Sequence, residues 1–183
     1  REPIHNITDV AKPRQCRPRW ALLCVANAAL ITTYEAVRDR VEDVIAQLNR
    51  LARRHGESAY YRVRERYNGD GPASAERAAM FIYLNKTCFN GLYRVNRKGA
   101  FNVPAGRYAK PRILNAAALV AASHVLRATE LRCAGFETLL RSAKPGDFVY
   151  LDPPYEPVSA TASFTAYARD GFSRSDQTRL RDV

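Results

Sequence analysis

Residues suited to chemistry gather first at Asp152-Pro153-Pro154-Tyr155. A carboxylate stands beside two residues whose φ is fixed and whose backbone nitrogens carry no hydrogen. The proline carbonyls remain as acceptors, held in a stiff turn. A carboxylate next to a fixed carbonyl suits a planar amino group with two N–H donors. Tyr155 adds a face on which a flat ring can stack. Holding the exocyclic amine of an extruded nucleobase requires this set of groups. The plainer alternative is a sharp strand-to-loop turn closed by an Asx-type bond. Position favours the chemical reading. Phe148-Val149-Tyr150-Leu151, just before it, has the apolar, β-branched and aromatic content of a buried strand. Open α/β sheets place their ligand crevices at the carboxyl ends of strands.

A second concentration lies at residues 86–112. It holds Lys86, Arg94, Arg97, Lys98, Arg107, Lys110 and Arg112 and no Asp or Glu, within a 183-residue chain of formal net charge +11. Phe89, Tyr93, Phe101 and Tyr108 are interleaved with Asn90, Asn96 and Asn102. Arginine and lysine neutralise phosphates, arginine and asparagine read base edges, and aromatics stack or wedge between bases. A solvated basic loop with structural aromatics is the alternative, and the absence of any acid weighs against it. The basic balance of the whole chain likewise points to a polyanionic partner.

Other classes find less support. The four cysteines (Cys16, Cys24, Cys88, Cys133) and three histidines (His5, His55, His124) are scattered, with no CxxC pair. No metal site or disulfide framework is expected, and reduced thiols in a cytoplasmic protein are the default. No window has the apolar length of a membrane span, and no signal-peptide pattern opens the chain.

The elements that must position these groups emerge from periodicity. Trp20 to Val25 reads as a strand. From Asn27 the pattern is helical, with Val37, Val41, Val44, Ile45, Leu48, Leu51 and Ala52 on one stripe that predicts a helix ending near His55-Gly56. A shorter helix covers 58–67. Asn68-Gly69-Asp70-Gly71-Pro72 is a turn, and Ser74 caps a largely apolar helix that runs out near Cys88. Asn115 caps a helix through Leu126, Thr129 to Cys133 is a strand, and Phe136 to Ala143 a helix. Lys144-Pro145-Gly146-Asp147 turns into the strand at Phe148, and Ser173 starts a last helix. Strand–helix units on both sides of a basic insert predict an α/β sheet with an inserted subdomain.

Several blocks carry a resemblance. Phe81-Ile82-Tyr83-Leu84-Asn85 through Asn90-Gly91-Leu92 to Arg94 resembles the "F-L-Y-L-N-…-N-G-L-…-R" block of the Dam-type, D12 class of N6-adenine DNA methyltransferases. Phe101-Asn102-Val103-Pro104, Gly106-Arg107-Tyr108 and Lys110-Pro111 are similar to that family's "F-N-V-P-x-G-R-Y-x-K-P". Phe148 to Tyr155 resembles its "F-V-Y-L-D-P-P-Y", and Phe164-Thr165, Tyr167, Phe172 and Gln177 match the family's next positions. Ala26-Asn27, Leu30-Ile31 and Tyr34 fit an earlier block, so the likeness spans roughly 20–183.

The resemblance implies a Rossmann-like, S-adenosylmethionine-dependent methyltransferase sheet with an inserted helical and loop target-recognition subdomain. It implies transfer of a methyl group to a flipped adenine in double-stranded DNA, often within GATC, with no metal. Asp152 and the Pro153 carbonyl would hold the adenine amino group, with Pro154 stiffening the turn and Tyr155 stacking on the base. Phe136 and Asp152 would face the methyl donor. Arg94 is the candidate for base-specific contact, with Phe89 as a wedge and Asn90 and Leu92 beside it. Asn102, Arg107 and Lys110 would shape the loop or bind phosphate.

The likeness is weakest at the start. Glu2-Pro3 echoes the family's donor-site "E-P-F-x-G-G-G" with no glycine after it, Val25 stands where a ribose-binding Asp is usual, and Gly135-Phe136 where some members have Asp-Phe. The expectation is a fragment whose N-terminal cofactor motif is degenerate or frameshifted up to Val25. Residues 1–54 then form the cofactor side, 55–114 the recognition insert and 115–183 the catalytic part. The function expected is an adenine-N6 DNA methyltransferase, monomeric and cytoplasmic at the nucleoid of a prokaryote or phage. The alternatives are a catalytically inactive DNA-binding remnant, or a methyltransferase of RNA adenine or protein glutamine.

Overall fold

A computed structural model describes residues 20–71, 74–153 and 174–182. The first strand, β1 (Ala21–Cys24), pairs in parallel with β2 (Thr129–Arg132), in a register that sets Ala21 against Thr129 and Cys24 against Arg132. Val25 and Ala134 prolong the ladder, Val25 N–H donating to the Arg132 carbonyl at 3.1 Å and Ala134 N–H to the Val25 carbonyl at 3.3 Å. Parallel strands cannot be joined by a tight turn, and here the connection carries most of the helices.

Asn27 starts α1 (Ala28–Asp39) as an N-cap, its side chain accepting from Leu30 N–H at 3.2 Å. The long helix expected from the apolar stripe is two helices. Arg40, at φ −141° and ψ 41°, ends α1 and opens α2 (Val41–Arg53). Its guanidinium binds Asp43 at 2.9 and 3.0 Å, and Glu42 and Asp43 place negative charge on the first turn of α2. The apolar stripe runs through the break because both helices turn the same side to one core. Val37, Val44 and Leu48 are fully buried there.

Helix α3 (Glu57–Asn68) starts directly after Gly56. Helix α4 (Ala75–Thr87) begins as expected at Ser74, whose Oγ accepts from Arg77 N–H at 3.1 Å. Ala78, Ala79, Met80, Phe81, Ile82, Tyr83 and Leu84 are all buried. A helix apolar all round belongs in the middle of a core. Accordingly α1, α2 and α3 all pack on α4. After the loop region, Asn115 caps α5 (Ala116–Leu126), accepting from Ala118 N–H at 3.1 Å. Ser123 ties α5 to the end of α1 by donating to the Arg38 carbonyl at 3.0 Å. Short α6 (Phe136–Ser142) and α7 (Arg174–Arg181) meet through an Arg179–Glu137 ion pair at 3.1 Å.

The turn at Lys144–Asp147 forms as read. Asp147 N–H donates to the Lys144 carbonyl at 3.0 Å, Lys144 N–H to the Asp147 carboxylate at 2.8 Å, and Gly146 takes φ +96°. The buried strand expected at residues 148–151 does not. Among the described residues the only sheet is β1–β2, and Phe148 is 91% exposed and Tyr150 65%. A run of strand composition becomes a buried strand only when a neighbour pairs its backbone and a layer covers its side chains, and neither is described here.

Candidate nucleic-acid interface and acceptor segment

Residues 86–112 are held by the helical core through their backbone. Cys88 and Ala105 form an antiparallel bridge, as do Val95 and Phe101. Phe89 N–H donates to the Pro104 carbonyl at 2.9 Å, and Gly106 N–H to the Thr87 carbonyl at 2.8 Å. A Cβ at Gly106 would stand 2.7 Å from the Cys88 carbonyl oxygen and closer still to the Tyr108 ring, so only glycine fits that crossing. At the tip, the Asn96 side chain accepts from Lys98 and Ala100 N–H groups at 2.9 and 3.1 Å around Gly99, whose φ is +79°.

Helix α3 supplies the strongest tie. Asn68 donates from Nδ2 to the Phe101 carbonyl at 2.9 Å and accepts Phe101 N–H at Oδ1 at 2.8 Å. Its amide thus acts as a one-residue partner strand. Tyr60 hydroxyl and the Arg64 guanidinium both donate to the Val103 carbonyl, at 2.8 and 3.1 Å. Sequence reasoning took Asn68 as a turn residue before Gly69. The signal that could have separated the roles is its place on the last turn of a helix, facing the loop, and that is tertiary information.

The four aromatics of this region divide. Tyr93 and Phe101 join Tyr67 and Phe81 in a core cluster with ring centroids 5.5 to 6.4 Å apart. Phe101 is only 3% exposed, while Phe89 is 50% and Tyr108 43% exposed. Only Phe89 and Tyr108 are therefore free to meet a base among these four. Phe89 leads into a 3₁₀ turn in which Asn90 takes φ 52° and Gly91 φ 62°. Asparagine is among the few side-chain-bearing residues that adopt this region readily. Asn85 fixes the turn by donating to the Gly91 carbonyl at 2.9 Å. Beneath it the Cys88 thiol donates to the Leu92 carbonyl at 3.2 Å, and burial pushes that thiol up to about 12. Cys88 is a packed structural thiol, not a nucleophile.

Among the sequence-expected interface residues, Phe89, Asn90, Arg94, Arg107 and Lys110 are exposed, and Leu92 and Asn102 are half-buried. Arg94 and Asn102 come together. Asn102 N–H donates to the Arg94 carbonyl at 3.1 Å, and Arg94 Nε–H donates to the Asn102 side-chain oxygen at 2.9 Å. Arg94 Nη2 also reaches the Asn102 carbonyl at 3.4 Å.

Of the acceptor motif, Asp152 is exposed and Pro153 half-buried, in extended chain after the exposed Phe148–Leu151 segment. Pro154 and Tyr155 lie outside the described residues, as do Glu2, Pro3, Phe164, Thr165, Tyr167, Phe172 and Ser173. At the carboxyl ends of β1 and β2, half-buried Phe136 opens α6, with Arg179 5.9 Å from its ring centroid. The Glu137 carboxylate fills the space beside Gly135, 2.7 Å from where a Cβ would stand. Arg179 also pairs with that carboxylate at 3.1 Å, so it bridges the ring and the acid at these strand ends. No group of His, Cys, Asp and Glu among the described residues is arranged to hold a metal, and no described helix is long and apolar enough to cross a membrane.

The comparisons with known proteins agree on one family. A family model described as D12 class N6 adenine-specific DNA methyltransferase matches residues 14–183. The chain is 39% identical over 170 residues to Type II methyltransferase M1.LlaDCHI of Lactococcus lactis subsp. cremoris, covering 90% of this chain and 60% of that protein. It is 40% identical over 163 residues to Type II methyltransferase M.MjaIII of Methanocaldococcus jannaschii, covering 84% of this chain and 56% of that protein. To the DNA adenine methylase of Serratia marcescens it is 38% identical over 161 residues, covering 87% of this chain and 59% of that protein. The chain thus spans between 56% and 60% of the length of these relatives.

Proposed function

Because this chain belongs to the D12 class of N6 adenine-specific DNA methyltransferases, we propose that it serves the methylation of adenine N6 in duplex DNA at a preferred sequence. S-adenosylmethionine would supply an electrophilic methyl group on a sulfonium. The residues of this chain do the rest by position. The Asp152 carboxylate and the Pro153 carbonyl accept the two amino hydrogens of a flipped adenine. That leaves the nitrogen lone pair pointing along the line of attack, where positioning supplies much of the rate. Pro154 stiffens the turn and Tyr155 stacks on the base. Phe136 and Asp152 face the donor, Phe136 offering its ring to the donor's adenine.

The same reading divides the chain into a Rossmann-like methyltransferase sheet and a recognition insert. Phe89 wedges into the gap left by the flipped base, Arg94 reads a base edge, and Arg107 and Lys110 neutralise phosphates, with Asn90 and Leu92 shaping the approach. A methylase of duplex DNA acts where the DNA is, so the reading carries a cytoplasmic, nucleoid-associated setting with it.

The observation that carries the proposal is the acid-free basic loop itself, clamped to α3 and the buried α4 with Arg94 and Phe89 left exposed on it. A merely solvated loop has no need of that anchoring. The relatives, named as methyltransferases and DNA adenine methylases, favour an enzyme over a catalytically silent DNA-binding remnant. The test is incubation with S-adenosylmethionine and a GATC-containing duplex, with mass spectrometry of the nucleosides as the readout. N6-methyladenine is expected, and calorimetry should show donor binding. Methylation in another sequence context would relocate the target and keep the reaction. Duplex binding without donor binding would establish the remnant, and preference for single-stranded RNA would overturn the DNA reading.

A further inference from the structure

Five N–H groups give arginine its reach, but a long flexible side chain must be held in one plane before it can choose between bases. Here Arg94 is exposed, and its Nε–H is taken by the Asn102 side-chain oxygen at 2.9 Å. Nη2 leans on the Asn102 carbonyl at 3.4 Å, so two of the three guanidinium nitrogens are held by one residue and the plane is set. Asn102 is fixed in turn. Its N–H donates to the Arg94 carbonyl at 3.1 Å, and its neighbour Phe101 is gripped on both backbone groups by Asn68 at 2.8 and 2.9 Å. One relay therefore runs from the end of α3 through Phe101 and Asn102 to the guanidinium.

We propose that Asn102 is a positioning residue for base selection. It holds the Arg94 fork for a base edge. This rests on the reading of residues 86–112 as a duplex-DNA interface. A bidentate arginine needs its guanidinium plane set, and Asn102 sets that plane before DNA arrives.

The test compares binding of the unmodified chain and of variants to its preferred duplex, selected from a randomised pool, and to single-base variants of that duplex. Asn102→Ala should lower the discrimination ratio roughly ten-fold, within the ~5- to 150-fold that a bidentate base contact is worth, while binding to unrelated duplex stays nearly constant. Arg94→Ala added to Asn102→Ala should lower the ratio little further, since both remove one contact. Asn102→Asp keeps an acceptor for Nε and should retain the ratio while weakening every duplex alike through its charge. That split between Ala and Asp is one that loss of loop structure would not produce, and thermal unfolding of both variants checks the fold. Equal weakening on all duplexes by Asn102→Ala, with the ratio intact, overturns the Asn102 role alone. An unmodified chain that prefers no duplex overturns the interface reading and the Asn102 role with it.

Discussion

The basic loop at 86–112 and the acceptor segment at 148–153 are held by very different means. In the loop, side chains of α3 and α4 satisfy the backbone: Asn68 at Phe101, Tyr60 and Arg64 at Val103, Asn85 at Gly91. The acceptor segment leaves one well-made turn and then runs extended, with Phe148 and Tyr150 exposed. Selecting a sequence needs groups fixed before the ligand arrives, because an unfixed arginine accepts many partners. Receiving a base requires an open approach. The contrast predicts that substitutions in the acceptor segment remove chemistry and spare stability, whereas those under the loop cost both stability and selectivity.

The largest effect tests the first half of that contrast. Asp152→Ala should lower methyl transfer roughly 10²- to 10³-fold, the range for losing one preorganised polar contact to a reacting group. Asp152 is exposed, and its loss should change unfolding free energy by no more than about 0.5 kcal/mol. Radiolabelled methyl transfer and urea unfolding on one preparation give both numbers. A large loss of stability would mean that the acceptor segment is a structural element, and the contrast would fail.

Asn68→Ala tests the second half. It strips partners from both the N–H and the carbonyl of buried Phe101. Leaving such groups poorly paired costs roughly 1–3 kcal/mol, visible in the urea midpoint. Sequence discrimination should fall with it, because Asn102 is the next residue after Phe101. Tyr60→Phe makes a useful control, since Arg64 still donates to the Val103 carbonyl. Next in size is Arg94→Ala, which should cost about 1–3 kcal/mol in discrimination between the preferred duplex and its single-base variants. Uniform weakening on all duplexes, with a shallower salt dependence, would make Arg94 a phosphate contact.

Legibility from the chain alone divides along the same line. Caps at Ser74 and Asn115 were legible because a cap is a local event, one side chain bonding a backbone three residues away. Both strands of the sheet and the buried character of α4 were legible from composition. The break at Arg40 was not, because a stripe of apolar residues looks the same across a kink that keeps both helices on one core. Phe148–Leu151 shows the opposite failure: strand composition states a preference, and pairing with a neighbour decides. The motif residues at 86–112 could be named from the sequence, but their division into core and surface could not. Tyr93 and Phe101 belong to the core cluster, and Arg94 is paired to Asn102 across the loop. Those roles depend on which helix stands behind the loop.

The smallest effect at neutral pH concerns Cys88, and its pH dependence measures how tightly the loop is seated. Burial pushes the thiol up from its ordinary 9.0 to about 12, only partly offset by backbone hydrogen bonds around Cys88, Gly91 and Leu92. A raised pKa means that the folded chain retains this proton at a pH where the unfolded chain has lost it. The associated stability is complete below pH 9.0 and drains away as pH climbs towards about 12. Tyr60 and Tyr67, raised chiefly by burial, add to the loss only above their ordinary value of 10.0. Between 9.0 and 10.0 the decline comes from thiols, Cys88 and also Cys24, which burial likewise raises from 9.0, and the Cys88 variant separates the two. Cys88→Ala should cost about 1 kcal/mol near neutrality through the lost bond to Leu92. It should also flatten the decline of the urea midpoint across that interval under reducing conditions. If the decline persists unchanged in the variant, the thiol ionises freely in the folded chain. The loop would then be seated less tightly on α4 than its hydrogen bonds imply, and the contrast with the acceptor segment would narrow.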